Sequence, residues 1–140
     1  MGEISCASFV LLLAVALSGC SGSKLDKETA FAATFDVRPD ADVVVHQGKL
    51  WENRHLLIFA EYYALVEFDA SEEKVAALMK GTKKHFEVFD ASNFGFGLKE
   101  DERWFAPDDG SKYLGWRSAD GMYVIRSSKT KRVFAMRFEL

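Results

Sequence analysis

The residues best suited to chemistry in this sequence are aromatic and basic, and they lie in its last third. Trp104, Tyr113, Trp116 and Arg117 surround a Pro-Asp-Asp-Gly sequence at 107–110 that predicts a turn. Tryptophan, tyrosine and arginine dominate the energetics of binding surfaces, because they combine a large contact area with polar groups. The sequence therefore predicts a binding surface here. The alternative is that these rings fill the core beneath a long loop.

A second candidate feature is the positive charge near the C-terminus. Residues 112–140 carry seven basic and two acidic side chains, although the whole chain has a formal net charge of -3. Lys129, Lys131 and Arg132 lie together in the connection of a predicted hairpin. Such a basic tip can bind anionic lipid headgroups, a cell-wall polymer or an acidic protein. The alternative is that these side chains only prevent edge-to-edge pairing of strands.

The sequence shows no motif for catalysis or metal binding. It contains no GxSxG, HExxH, CxxC or Gly-rich phosphate-loop pattern. His46, His55 and His85 are far apart, and the acidic residues at 100–102 and 108–109 lack the alternating spacing of a calcium loop. We therefore predict no catalytic residue, no metal site, no cofactor and no enzyme activity, although residues distant in sequence can still meet in a folded active site.

The N-terminus predicts export. Residues 9–17 read FVLLLAVAL, and nine residues of helix rise only about 14 Å, roughly half of a bilayer core. A short apolar run followed by small residues is typical of a cleavable signal peptide. Leu17-Ser18-Gly19-Cys20 resembles the lipobox of bacterial lipoproteins at all four positions. The alternatives are a buried helix and myristoylation of Gly2, but Cys6 stands where the myristoylation pattern needs Ser or Thr.

The lipobox resemblance implies a lipid anchor. In that family the cysteine thiol receives a diacylglyceryl group, the chain is cut before the cysteine, and the new amino terminus is acylated. Cys20 would then be the first mature residue, and several acyl chains would make membrane attachment effectively permanent. The implied location is the cell envelope, and Ser21 favours the outer membrane facing the periplasm in a Gram-negative cell. This location and the acidic net charge argue against nucleic acid as a partner.

Length and composition leave room for one folded domain. The chain has 140 residues, of which 49% are hydrophobic, enough to form a core. We predict a signal peptide at 1–19, the lipidated cysteine and a flexible tether at 20–30, and a single α+β domain at 31–140. Small polar and charged residues favour the tether.

The clearest predicted helix follows Ser71, which can cap its first turn. Val75, Leu78 and Met79 share one helical face, and Gly81 is a plausible terminator. Strands are predicted at 42–51, 62–68, 86–89 and 113–117.

The C-terminus predicts a β-hairpin. Strands at 122–126 and 132–138 flank a polar connection at 127–131. In the second strand we expect Phe134, Met136 and Phe138 to face the core, and Val133, Ala135 and Arg137 to lie nearer water. The predicted fold is a small antiparallel sheet with one short helix packed on one face.

Together these features predict a membrane-anchored bacterial lipoprotein that acts as a non-enzymatic interaction or binding module of the envelope. Its partners would be the membrane, bound through the N-terminal lipid, and an envelope protein or anionic envelope component. The candidate binding residues are Trp104, Tyr113, Trp116, Arg117, Lys129, Lys131 and Arg132. Two alternatives are a carrier or sensor that encloses an apolar ligand in a Phe-rich interior, and an immunity or inhibitor lipoprotein that blocks a toxin or cell-wall hydrolase.

The first prediction concerns Cys20. Replacing it by alanine removes the thiol that would carry the lipid, so we expect Cys20→Ala to shift the protein from the membrane pellet to the soluble fraction. Fractionation of cells expressing either form measures this shift. Recovery of the wild-type protein in the soluble fraction would contradict the lipid anchor.

Overall fold

The chain folds into one antiparallel sheet with two helices. A computed structural model describes residues 23–55, 59–91, 100–105 and 112–139. The elements are α1 (Ser23–Phe35), β1 (Val44–His55), β2 (Phe59–Asp69), α2 (Glu72–Gly81), β3 (Phe86–Asp90), a 3₁₀ turn (Glu100–Glu102), β4 (Tyr113–Ser118), β5 (Met122–Ser127) and β6 (Arg132–Glu139). The predicted α+β class, antiparallel sheet and C-terminal hairpin are confirmed.

The strand order of the sheet is β1-β2-β6-β5-β4-β3. Strands β3 to β6 form a meander, and β6 then pairs with β2, so that the two halves of the chain join in one sheet. The C-terminal strand is therefore an interior strand, hydrogen-bonded on both sides.

Both helices cover the same face of the sheet. In α1, Phe31 and Phe35 lie one turn apart, and both contact the ring of Phe68 in β2, with ring centroids 5.2 and 5.5 Å away. All three side chains are buried. Edge-to-face contacts of this kind add to the free energy gained from burying the rings.

Helix α1 occupies most of the segment that the sequence assigns to a flexible tether. The tether was expected over residues 20–30, but the chain is helical from Ser23, and Ala30 is completely buried. The small and charged residues that favour a tether are also compatible with a helix that packs one narrow face, and Phe31 and Phe35 supply that face. Cys20 and the signal sequence lie outside the described residues.

Gly48 lets α1 approach β1 closely. A Cβ atom at this position would lie 2.7 Å from the Cα of Lys27 and 2.9 Å from the Cβ of Ala30. Both distances are too short for ordinary packing, so a hydrogen side chain is required where the helix crosses the strand.

Helix α2 forms as the sequence predicts. Ser71 is its N-cap, and the Ser71 hydroxyl accepts a hydrogen bond from the Lys74 amide. Val75 and Leu78 are buried against the sheet. Gly81, expected to terminate the helix, is instead its last residue, and Thr82 is the C-cap.

The expected division of β6 into a core face and a water face is wrong. Val133 and Ala135 are completely buried beneath the helices, whereas Phe134 and Met136 are buried on the opposite face of the sheet. Phe138, expected in the core, is 39% exposed. Strand β6 is an interior strand, and both faces of the sheet are covered. Its alternate side chains therefore point into two different cores, and neither set faces solvent.

Arg137 is also buried, although the sequence predicted it nearer water. Only 7% of the residue is exposed. Its Nη1 donates hydrogen bonds to the Thr34 carbonyl at 3.2 Å and to the Asp36 carboxylate at 2.9 Å, and its Nη2 donates to Glu139 at 2.7 Å. Arg137 thus donates hydrogen bonds to carbonyls of the last turn of α1 and fastens this helix to the sheet.

The second face of the sheet is covered by residues 100–105. Phe105 is buried there, with its ring edge-to-face to Phe134 at 5.6 Å. Together with Leu65, Ile125 and Met136 these rings form a second core cluster. The protein therefore has three layers: helices, sheet and this short covering segment.

The close contact at Gly48 yields a stability prediction. Gly48→Ala would push α1 away from β1, so we expect it to lower the free energy of unfolding by about 1–3 kcal/mol. Urea denaturation followed by circular dichroism measures the change.

Gly81→Ala is the matched control, since a Cβ atom at Gly81 meets nothing within 4 Å. We expect this change to be neutral or to stabilise the helix by up to about 1 kcal/mol. Equal effects of the two substitutions would contradict the close approach of α1.

Candidate functional site

A polar pocket of about 420 Å³ opens between the 100–105 segment and the β5–β6 turn. We call it the hairpin pocket. Its lining residues are Gln47, Glu67, Asp69, Arg103, Trp104, Tyr113, Thr130, Lys131, Arg132 and Phe134. It combines three cations, two carboxylates and three aromatic rings from five different parts of the chain.

Ion pairs of Arg132 form one wall of the pocket. Arg132 is the cross-strand partner of Asp69, and its Nε donates to the Asp69 carboxylate at 2.9 Å. Its Nη1 donates to Glu67, which is 5% exposed, and the Gln47 amide donates to the other Glu67 oxygen at 3.4 Å. One guanidinium thus pairs with two carboxylates on the neighbouring strand, and the three groups together carry one net negative charge.

The electrostatics of this wall favour the charged forms of Asp69 and Arg132. Partial burial disfavours the Asp69 anion, but the nearby His46 and Arg132 outweigh this and lower the pKa of Asp69. Burial also disfavours the Arg132 cation, yet pairing with Glu67 and Asp69 raises its pKa above the ordinary value. His46 Nε2 lies 3.0 Å from the second Asp69 oxygen. The wall is therefore a fixed set of paired charges.

The aromatic wall is held by packing and by one hydrogen bond. The Tyr113 and Phe134 ring centroids are 6.3 Å apart, and Phe134 also contacts the buried Phe105. Trp104 packs edge-to-face on Phe105 at 5.8 Å, and its indole N–H donates to the Asp101 carbonyl at 3.0 Å. These contacts fix the orientation of half-buried rings next to the opening.

Glu102 fixes the segment that carries Trp104. It is 4% exposed and accepts hydrogen bonds from the Tyr63 hydroxyl at 2.9 Å and from Lys49 Nζ at 3.3 Å. Lys49 also donates to Asp101 at 2.8 Å, and this bond, with the charge of Glu102, raises the pKa of Lys49. Burial, followed by the contact with Glu102, raises the pKa of the Tyr63 hydroxyl, which stays a donor. The pocket's aromatic side is thus attached to β1 and β2.

Two cations at the pocket form no ion pair with any acidic residue that the structure describes. Arg103 and Lys131 are exposed, and neither forms an ion pair or side-chain hydrogen bond with any residue in the four described stretches of the chain. They belong to the two segments that border the opening. The positive charge of the pocket is therefore available at its rim, while Arg132 is committed to the fold.

The structure brings together four of the seven predicted binding residues. Trp104, Tyr113, Lys131 and Arg132 line the hairpin pocket. The predicted loop aromatics thus join the predicted basic turn, although Arg132 belongs to β6 and is paired with acids rather than free at the tip.

The other three predicted residues lie elsewhere. Trp116 packs against the core on the helix side of the sheet. Arg117 faces the opposite side, with its Cζ 5.9 Å from the Phe89 ring centroid, and lines a separate pocket. Lys129 is exposed in the turn and does not line the hairpin pocket. Trp116 and Arg117 separate because adjacent residues of a strand point to opposite faces.

Sequence reasoning missed the acidic half of the pocket. Glu67 and Asp69 lie on the face of β2 that also carries Leu65, as expected from strand alternation. Their pairing with Arg132, more than sixty positions later, depends on β6 joining β2, and nothing local in the sequence predicts that pairing.

Compared with known protein families, curated proteins and solved structures, the chain shows no match to any of them. Neither helix within the described stretches has the length and apolar character needed to cross a bilayer. Among the described side chains, no three of His, Cys, Asp or Glu are grouped to hold a metal ion.

The lowered pKa of Asp69 predicts acid sensitivity. Since the folded chain holds the Asp69 pKa below its unfolded value of about 4, the anion stabilises the fold above that pH. This contribution is lost as the pH falls through the folded pKa. The pKa values of Asp40 and Asp120 are lowered too, by Lys74 and Lys84, so the protein should be less stable at pH 3 than at pH 7.

In Asp69→Asn the loss of stability between pH 7 and pH 3 should be smaller than in the wild type. Urea denaturation at both pH values measures it. Glu73→Gln, on the exposed side of α2, is the control and should leave the loss unchanged. An undiminished loss in Asp69→Asn would show that the pairs of Asp69 do not stabilise the fold.

Proposed function

We propose that this protein is a lipid-anchored, non-enzymatic binding module of the bacterial envelope, and that the hairpin pocket is its ligand-binding site. One observation carries the proposal. Two segments far apart in sequence converge at a pocket where oriented rings and uncompensated cations adjoin a fixed wall of ion pairs. A pre-ordered surface of this kind binds at low entropic cost.

The state of the carboxylates supports binding rather than catalysis. A general acid or base works best with a pKa near the working pH, whereas the pKa of Asp69 is lowered and Glu67 is paired with Arg132. His46 lies beside Asp69, but no serine, threonine or cysteine in the described segments hydrogen-bonds to it. The nucleophile of a triad is therefore missing from these residues.

The packing between helices and sheet favours a surface ligand over an enclosed one. Phe31, Phe35 and Phe68, the rings that could enclose an apolar ligand, are in mutual contact and completely or almost completely buried. The hairpin pocket, by contrast, is open and has polar side chains at its rim. This arrangement supports a binding module rather than a carrier of apolar molecules.

The start of α1 is compatible with an anchor at Cys20. Ser23, the first residue of the helix, follows Cys20 by three positions, and three residues span at most about 10 Å. A lipidated Cys20 would therefore hold the domain close to the bilayer surface, which favours ligands that belong to the envelope.

Site-specific crosslinking in cells tests this proposal. A photoreactive phenylalanine analogue at Thr130, on the pocket wall, should yield a recurrent adduct with one envelope component. The adduct should weaken at least five-fold when Lys131→Glu reverses a rim charge, and again when Cys20→Ala releases the protein from the membrane. Mass spectrometry of purified adducts measures the yield.

Thr29, which is exposed on α1 and lines a different pocket, is the matched control position. The same analogue at Thr29 should give no such adduct. Equal adducts at both positions, or none at Thr130, would refute a binding role for the hairpin pocket.

A further inference from the structure

We infer that the hairpin pocket binds an anionic saccharide, meaning a sugar ring that bears a carboxylate or a phosphate. This inference rests on the proposed function and specifies the ligand of the same site. It follows from three properties of the pocket: its net positive charge, its aromatic wall and the remaining hydrogen-bonding capacity of Gln47.

The charge of the pocket selects an anion. Arg132 pairs with both Glu67 and Asp69, and the one negative charge left over is outweighed by Arg103 and Lys131. Arg103 and Lys131, which have no ion pair among the described residues, leave an excess of positive charge at the opening. A cation would be repelled there, whereas a carboxylate or phosphate can accept two parallel hydrogen bonds from the arginine and a third from the lysine.

The rings select a ligand with a flat or apolar face. Trp104 and Tyr113 are half-buried at the pocket, and Phe134 lies beneath them in contact with Tyr113. The indole N–H of Trp104 is already bonded to Asp101, so the ring surface, not its polar edge, is what Trp104 offers. The C–H face of a sugar ring packs on such a surface, and little side-chain entropy is lost because the rings are already oriented.

The remaining polar groups distinguish a sugar from a purely aromatic acid. The Gln47 amide lines the pocket with the rings. One of its N–H groups donates to Glu67, and its carbonyl oxygen and second N–H can hydrogen-bond to ring hydroxyls that an aromatic acid lacks. The volume of about 420 Å³ lies towards the lower end of the range of small-molecule sites, roughly 300–1,000 Å³. It accommodates one or two sugar rings rather than a long polymer segment.

Three matched probes test the ligand class with the full-length protein in detergent micelles. They are N-acetylmuramic acid, N-acetylglucosamine 6-phosphate and neutral N-acetylglucosamine, which share a ring and differ in the anionic group. The indole N–H signal of Trp104, assigned with Trp104→Phe and resolved from those of Trp51 and Trp116, reports binding by NMR. We expect at least one of the two anionic sugars to shift this signal with a dissociation constant at least ten-fold lower than that of the neutral sugar.

Variants at the rim distinguish binding in the hairpin pocket from nonspecific electrostatic attraction of an anion to the basic β5–β6 turn. Arg103→Gln and Lys131→Gln should each weaken the anionic sugars at least five-fold. Lys129→Gln removes the same charge from the same turn but outside the pocket, and it should change affinity less than two-fold.

Three results would overturn the inference. The first is an affinity for the neutral sugar within two-fold of the affinities for both anionic sugars. The second is that neither anionic sugar shifts the Trp104 signal. The third is that benzoate, a planar anion without hydroxyls, binds more tightly than both anionic sugars. If such a result accompanies an intact Thr130 adduct in cells, the ligand class is wrong and the binding module stands. If the anionic sugars bind the purified protein but the adduct is absent in cells, the ligand class of the pocket stands and its proposed role in the envelope is refuted.

Discussion

Strand β6 lies between β2 and β5 and carries apolar side chains on both of its faces, so neither face of the sheet can be left to water. Val133 and Ala135 need one cover, and Phe134 and Met136 need another. The helices supply the first cover and residues 100–105 supply the second. The hairpin pocket lies between residues 100–105 and the β5–β6 turn. The pocket is thus bordered by the segment that buries the second face of β6.

Among the described residues, one buried charge fastens α1 to the sheet and another fastens residues 100–105. Arg137 binds the last turn of α1 through the Thr34 carbonyl and Asp36, and Glu102 binds the covering segment to Tyr63 and Lys49. Burying a charge costs free energy that its partners recover only when their geometry is good. Apolar contact alone allows a helix or loop to slide across a sheet, whereas these charges are satisfied at a single position. The two charges therefore contribute more to the position of α1 and of residues 100–105 on the sheet than to the free energy of unfolding.

Features set by neighbouring residues were predictable from the sequence, and features set by distant pairing were not. Helix α2 and the C-terminal hairpin follow from the Ser71 cap and the strand alternation at 132–138, both within about ten residues. The burial of Arg137 was missed because it depends on α1, about a hundred positions earlier, packing over β6. The candidate site was half predictable for the same reason: ring and lysine clusters are visible locally, but Glu67 reaches the pocket only through the β2–β6 register.

The hairpin pocket separates the charges that hold the fold from those that can meet a ligand. Arg132 is bound by Glu67 and Asp69, so its removal would leave two carboxylates uncompensated, one of them buried. Arg103 and Lys131 form no ion pair with the rest of the described chain. A substitution of either residue therefore changes the electrostatic potential at the rim without leaving a buried partner unpaired. If the pocket has the binding role proposed here, affinity can therefore be altered at the rim while the wall stays intact. This division is what a binding surface requires, since a ligand's charge must be met by groups that the fold has not already used.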